Sequence, residues 1–150
     1  MKTIFLIEDD LVVIKVYAAK FLREGFGIEV AKDGLEAMKM LAAVRPDVVV
    51  LDLTIPKSHG TDVIKYIRST PALKTIPVII LTKAYMTMTS LVQQAAAIGA
   101  DMALLKSSCT PGQLLEVINE LLSGGKPVES DPAKRMATPA TPTKPQTGAK

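Results

Sequence analysis

Five short apolar runs, at 4–7, 28–31, 48–51, 78–81 and more weakly 102–105, alternate with segments long enough to be helices. Several runs are continuous rather than alternating, and they are rich in Val and Ile. That pattern belongs to strands buried on both faces of a parallel sheet. The segments between them carry helix-end signals. Asp33-Gly34-Leu35-Glu36 has capping-box spacing ahead of Leu35, Met38 and Leu41. Thr110-Pro111-Gly112-Gln113 combines a cap, a first-turn proline and a Gln at the third position. Leu114, Ile118, Leu121 and Leu122 then repeat at helical spacing. Leu11, Ile14, Ala18, Phe21 and Leu22 form a similar stripe closed by Gly25, with Asp10 placed to cap it. Gly99 stops a further helix through 90–97. Strand–helix alternation repeated in this way predicts a doubly wound α/β sheet.

A chain of 150 residues suits one domain. The net charge of +3 is confined to one stretch. Residues 1–123 hold equal numbers of acidic and basic residues, whereas 124–150 hold five basic residues against Glu129 and Asp131. The body therefore has no basic excess of the kind that binds nucleic acid. Six aromatic residues and no Trp also argue against a stacking platform for single strands. Half of the ten prolines lie in 124–150, interleaved with Thr, Ala and Lys (TPATPTKPQ). A segment so poor in bulky apolar side chains cannot offset its chain entropy, so a disordered basic tail is expected there. No run reaches the ~20 apolar residues of a membrane span. The start lacks the apolar segment of a signal peptide. With one Cys and one His, neither an internal disulfide nor a zinc cluster forms. A cytoplasmic protein is the expectation.

The polar residues at the ends of these runs are more informative. The first run ends in Glu8-Asp9-Asp10, the third in Asp52, the fourth in Thr82-Lys83 and the fifth in Lys106. In a parallel sheet these carboxyl ends share one edge, where ligands bind at the reversal of strand order. Two carboxylates ~4 Å apart repel by about 4 kcal/mol at an effective dielectric of 20. A hard divalent cation relieves that repulsion, and an all-oxygen donor set favours Mg²⁺. With Lys106 opposite and the Thr82 hydroxyl nearby, the set suits phosphoryl transfer, with a carboxylate as nucleophile.

At these residues the chain resembles the receiver domain of bacterial two-component response regulators. The matching pieces are IFLIEDD at 4–10, VVVLDLTIPKSHG at 48–60, PVIILT at 77–82 and GADMALLK at 99–106. The resemblance covers roughly residues 1–123 and implies a flavodoxin-like (βα)5 fold with strand order 2-1-3-4-5. It implies Asp52 as phosphoacceptor, with Pro56 and Gly60 completing that stretch. It implies Mg²⁺ held by Glu8, Asp9, Asp52 and the backbone carbonyl of Thr54, with Glu8 acting through water. Thr82 matches the switch hydroxyl and Lys106 the family's lysine. The implied phosphodonor is a sensor histidine kinase or a phosphotransfer protein. Output is then expected by docking to a downstream protein through the face of the fourth helix, fifth strand and fifth helix. The 27 residues after 123 are too few to fold a DNA-binding or enzymatic output domain, so a single-domain regulator, itself not an enzyme, is expected. A phosphorylation-dependent homodimer stays open.

Three departures stand out. Ser107 replaces the proline that usually follows the lysine in a cis peptide; a cis bond there, without proline, would cost about 3 kcal/mol. Ala103 replaces the usual Tyr or Phe, so the inward swing of an aromatic cannot report the switch. Thr54 and Ala84 occupy the two variable positions beside the acyl phosphate and offer no amide or carboxylate to orient water, which implies slow self-dephosphorylation. Ala103 and Ser107 motivate the alternative of a phosphorylation-independent adaptor. His59 reads as an exposed loop residue and Cys109 as a small inert side chain. Met86 and Met88 read as packing or exposed residues, and Tyr85 as a conceivable substitute aromatic.

Overall fold

A computed structural model describes residues 1–55, 60–82 and 85–124, with backbone alone for 85–89 and 91. The strands are β1 (Thr3–Ile7), β2 (Gly27–Ala31), β3 (Val48–Asp52), β4 (Val78–Thr82) and β5 (Met102–Leu105). They alternate with α1 (Leu11–Arg23), α2 (Gly34–Val44), α3 (Gly60–Ser69), α4 (Tyr85–Ala97) and α5 (Pro111–Leu122). All strand pairs are parallel, and the order is β2-β1-β3-β4-β5. This is the doubly wound, flavodoxin-like sheet expected from the alternation. Direction reverses between β1 and β3, which places the switch point at the ends of those two strands.

The continuous apolar runs have a direct cause. Successive side chains point to opposite faces of a strand, and both faces are covered here. Phe5, Ile7, Val49, Leu51 and Ile80 pack with Leu41 of α2, Ile64 and Ile67 of α3 and Val92 of α4. Ile4, Leu6, Val50, Ile79 and Leu104 pack with Tyr17 and Phe21 of α1 and Leu114 and Ile118 of α5. Two helices thus cover one face and three the other. Strand residues 48–52 and 78–82 are buried at every position.

The caps largely follow the sequence. Asp10 accepts from the amides of Val12 and Val13 at the start of α1. Thr110 and Gln113 form a reciprocal capping box on α5. On α2, Asp33 accepts from Glu36 N–H at 2.7 Å, but the Glu36 carboxylate reaches one residue further back, to Lys32 N–H. The stripe on α1 is corrected. Leu11 and Leu22 are exposed, and Tyr17 and Phe21 are the buried residues of that helix. Leu35 is likewise exposed, and α2 packs through Gly34, Ala37 and Leu41.

Two glycines sit where a side chain would not fit. A Cβ on Gly60 would lie 2.9 Å from the Leu53 Cα, so α3 can start this close to the residue after Asp52 only with glycine. Gly99 has φ +120, and Arg68 packs directly on it. Arg68 donates to the carbonyls of Gly99, Lys74 and Ile76 and to the Asp101 carboxylate. It ties α3 to the loops at the sheet's amino edge, opposite the edge that carries the acids. No helix among the described residues is long and apolar enough to cross a membrane. Most of the proline-rich segment, residues 125–150, lies outside the described residues.

Candidate functional site

Glu8 is the first residue past β1, and its N–H continues the ladder to the Ala31 carbonyl. A strand end between two neighbouring strands is fully covered, and Glu8 is 0% exposed. Its Oε2 accepts from the N–H groups of Asp9 and Asp10, both at 3.1 Å. Its Oε1 accepts from Lys106 Nζ at 2.5 Å. Asp9 is exposed, one step further along the chain. Asp52 closes β3 and is buried. Its Oδ2 accepts from Lys106 Nζ at 3.0 Å. Its Oδ1 accepts from Thr54 twice, from N–H at 2.9 Å and from the hydroxyl at 2.7 Å.

Residues far apart in sequence are therefore brought together by the sheet. Lys106, 98 positions after Glu8 and 54 after Asp52, holds both carboxylates with one ammonium. Thr82 closes β4, opposite Leu105 of β5, and is buried. Its hydroxyl has no hydrogen-bond partner among the described residues. A buried hydroxyl left unsatisfied is costly, and such groups call for a functional account.

Among the described residues the charges at the site do not balance: Glu8, Asp9 and Asp52 bring three carboxylates to the Lys106 ammonium. Burial raises the proton affinity of Glu8, and the neighbouring Asp52 adds to it; bonds from Lys106 and Asp10 N–H offset only part. Burial also pushes Asp52 up, but the Thr54 amide and hydroxyl and then Lys106 outweigh it, and Asp52 ends below its usual value. Burial pulls Lys106 down, and its bonds to Glu8 and Asp52 more than reverse this, so the amine stays charged. Asp52 is the carboxylate held ionised, and Glu8 the one that protonates more readily.

Each of Glu8, Asp9 and Asp52 offers a ligand oxygen, all within 4.8 Å of one another. Three hard oxygen donors with surplus negative charge fit a divalent cation such as Mg²⁺. The expected role of Thr54 is through its carbonyl; the Thr54 contacts found are made by its amide and its hydroxyl, a bond that spacing did not anticipate. Both oxygens of Glu8 accept from protein donors, Oε2 from the amides of Asp9 and Asp10 and Oε1 from Lys106. Among the departures, Ala103 is buried, and the described residues contain no cis peptide bond. After Lys106 the chain instead turns through a short 3-10 helix, Lys106–Ser108. Pro56, His59 and Ala84 lie outside the described residues, as do the side chains of Tyr85, Met86 and Met88.

A family model described as the response regulator receiver domain matches residues 4–119. The chain belongs to this family. Response regulator MprA of Mycobacterium bovis is 33% identical over 136 residues, which is 89% of this chain and 55% of that protein. This receiver chain thus spans about half the length of the curated relatives it matches. The chemotaxis response regulator CheY4 of Vibrio cholerae has a TM-score of 0.73 at 26% identity, covering 81% of this chain and 98% of its own. The Mn²⁺-bound form of response regulator Rcp1 has a TM-score of 0.66 at 27% identity, covering 80% and 91%. Receiver domains are the signalling phosphoacceptors of two-component systems rather than classical enzymes. They bind Mg²⁺ at an acidic pocket and work with histidine kinases or phosphotransfer proteins.

Proposed function

We propose that this receiver accepts a phosphoryl group on Asp52 and signals by a phosphorylation-dependent contact with another protein. The observation that carries the reading is the Lys106 ammonium bonded to both Asp52 and Glu8 at the carboxyl edge of the sheet. An Asp52 oxygen attacks the phosphorus of a phosphohistidine; the P–N bond breaks, and the imidazole nitrogen leaves with the electron pair. Asp52 is ionised and so carries the lone pair the attack needs. Lys106 neutralises charge on the transferring group, and the Thr82 hydroxyl, without a partner among the described residues, donates to one of its oxygens. Glu8, Asp9, Asp52 and the Thr54 carbonyl are the residues that would hold Mg²⁺. Bound there, Mg²⁺ supplies positive charge that offsets the carboxylates and the incoming phosphoryl oxygens.

The donor is a sensor histidine kinase or a phosphotransfer protein. Output is assigned to the face of α4, β5 and α5, in the cytoplasm and without direct contact to nucleic acid or membrane. Ala103 favours one competing reading, an adaptor that keeps the fold and does not switch, because no aromatic occupies that position on β5. One experiment separates them. The protein is treated with acetyl phosphate and Mg²⁺, and its intact mass is measured. A single added phosphoryl group, absent in Asp52→Ala, is the expected result. No uptake overturns the reading in favour of the adaptor. Repeated turnover with release of phosphate overturns it in favour of an aspartate-nucleophile phosphatase.

A further inference from the structure

Helix α1 buries Tyr17 and Phe21 and leaves its opposite side bare. On that side Leu11, Val12, Val16 and Leu22 are between 49% and 70% exposed. Among the described residues, the other exposed large apolar side chains are Met1 and Leu35 alone. Scattered exposed apolar residues are ordinary, but several gathered on one helix face make a patch of the kind that marks a contact. Lys15, Ala19 and Arg23 are the remaining exposed residues of the helix. Val12, Val16, Ala19 and Arg23 follow one another at intervals of four, three and four, the spacing of a seam between two helices packed at a shallow angle. Leu11 and Leu22 flank that seam at its two ends.

The face also carries its own complement. Asp9, exposed, stands just before the helix, and Arg23, exposed, stands in its last turn. Lys20 is paired with Glu24 on the same helix, so Arg23 adds a cation to that end. Two such helices set antiparallel about a two-fold axis bring the acidic end of each to the basic end of the other, and their dipoles oppose. In that register Val16 of one copy meets the small Ala19 of the other. The Arg23 stem covers Val12, and its guanidinium reaches Asp9 one turn further on. Lys15 lies at the edge of the seam, where its stem packs and its ammonium stays in water.

We propose that α1 is a self-association face, on which a second copy of this chain docks its own α1 in antiparallel order. One helix on one helix buries less than the roughly 800 Å² per partner of a standard interface, so the pairing is weak, with a dissociation constant on the order of 100 µM. The face adjoins the acidic site, since Val12 and Val16 share the walls of a cavity of about 220 Å³ with Lys106. The pairing does not depend on the phosphoacceptor reading, because molar mass reports one and phosphoryl uptake the other.

The test is sedimentation equilibrium of the full chain in EDTA, from about 10 to 500 µM, a range that brackets a weak interface. The weight-average mass of the wild type should climb from that of the monomer towards twice that value. Val16→Glu puts a charge at the centre of the seam and should weaken association at least about tenfold. Its circular dichroism and its phosphoryl uptake from acetyl phosphate should match the wild type, since Val16 is exposed. Arg23→Glu loses both end pairs and sets like charges together, for a loss of about five- to tenfold. Adding Asp9→Lys to Arg23→Glu swaps the charges and should restore association to within about threefold of the wild type. A wild type that stays monomeric at 500 µM overturns the proposal and leaves the face to a helix of another protein. Self-association that survives Val16→Glu unchanged also overturns it, by placing the contact elsewhere. Equal association by Arg23→Glu and wild type, or no recovery in the charge-swapped chain, overturns the antiparallel pairing.

Discussion

Replacing Lys106 by Met keeps an apolar stem of similar length and removes the ammonium that Glu8 and Asp52 share. Both acid side chains are 0% exposed, and the Lys106 side chain is 10% exposed, so water cannot take over the lost contacts. The acid oxygens lie within 4.8 Å. Two unit charges at that separation repel by about 3.5 kcal/mol at an effective dielectric of 20. Removing one partner of a buried pair typically costs about 3–5 kcal/mol. Without divalent cation at pH 7, we expect Lys106→Met to lose about 3 kcal/mol of stability, roughly 10 °C in Tm. The pH dependence carries the sign. Glu8 already has a raised pKa from burial, and losing the Lys106 bond raises it further. The folded variant then binds a proton that the unfolded chain releases, so its stability rises as pH falls from 7 through the raised folded value. In the wild type, Asp52 has a lowered pKa, and the stability it contributes is present above its unfolded value of 3.8 and lost as pH falls through the lowered folded value. Urea unfolding in EDTA, followed by circular dichroism, reads the variant's slope at pH 7, 6 and 5 and the wild-type Asp52 slope at pH 4 and 3, and added Mg²⁺ should restore part of the variant's loss at pH 7. A variant within about 1 kcal/mol of the wild type at pH 7, with no gain on acidification, would refute the reasoning.

Arg68→Ala strips the donor from three loop carbonyls and from Asp101. Because part of that network is exposed, we expect a loss of about 2 kcal/mol in urea unfolding, with phosphoryl uptake at Asp52 unchanged. Thr54→Ala removes the hydroxyl bonded to Asp52 Oδ1 at 2.7 Å. Its folded pKa then moves back up, so stability at neutral pH drops by about 1 kcal/mol and the acid limb begins at higher pH, visible in a pH series of thermal melts. The phosphorylated protein, freed of donor by gel filtration, should lose its phosphoryl group slowly, since Thr54 and Ala84 offer no amide or carboxylate to orient water. Rapid loss with no phosphatase present, read by intact mass, contradicts that expectation.

The strand runs were legible because burial on both faces of a parallel sheet leaves continuous Val- and Ile-rich segments. The polar residues after those runs were legible for a related reason: a group placed where a buried strand stops has few places to go but the carboxyl edge. Caps such as Asp10 and Thr110 are local, formed within three residues, and local order suffices to read them. The face that α1 buries was not legible. Leu11, Val12, Val13, Ile14, Val16 and Tyr17 make that helix apolar nearly all round, so the 3.6-residue period alone selects no side. Docking on the sheet decided it, exposing Leu11 and Leu22 and burying Tyr17.

By itself, then, the order of residues determined the strand–helix alternation and which polar groups would gather at the sheet edge. Tertiary structure alone decided how those groups bond: Lys106 between Glu8 and Asp52, the Thr54 hydroxyl on Asp52, and the Tyr17 hydroxyl on the Cys109 carbonyl. Periodicity is a property of neighbours along the chain. Hydrogen bonds between residues tens of positions apart depend on distances of a few tenths of an ångström, and those exist only once the sheet and its helices have packed.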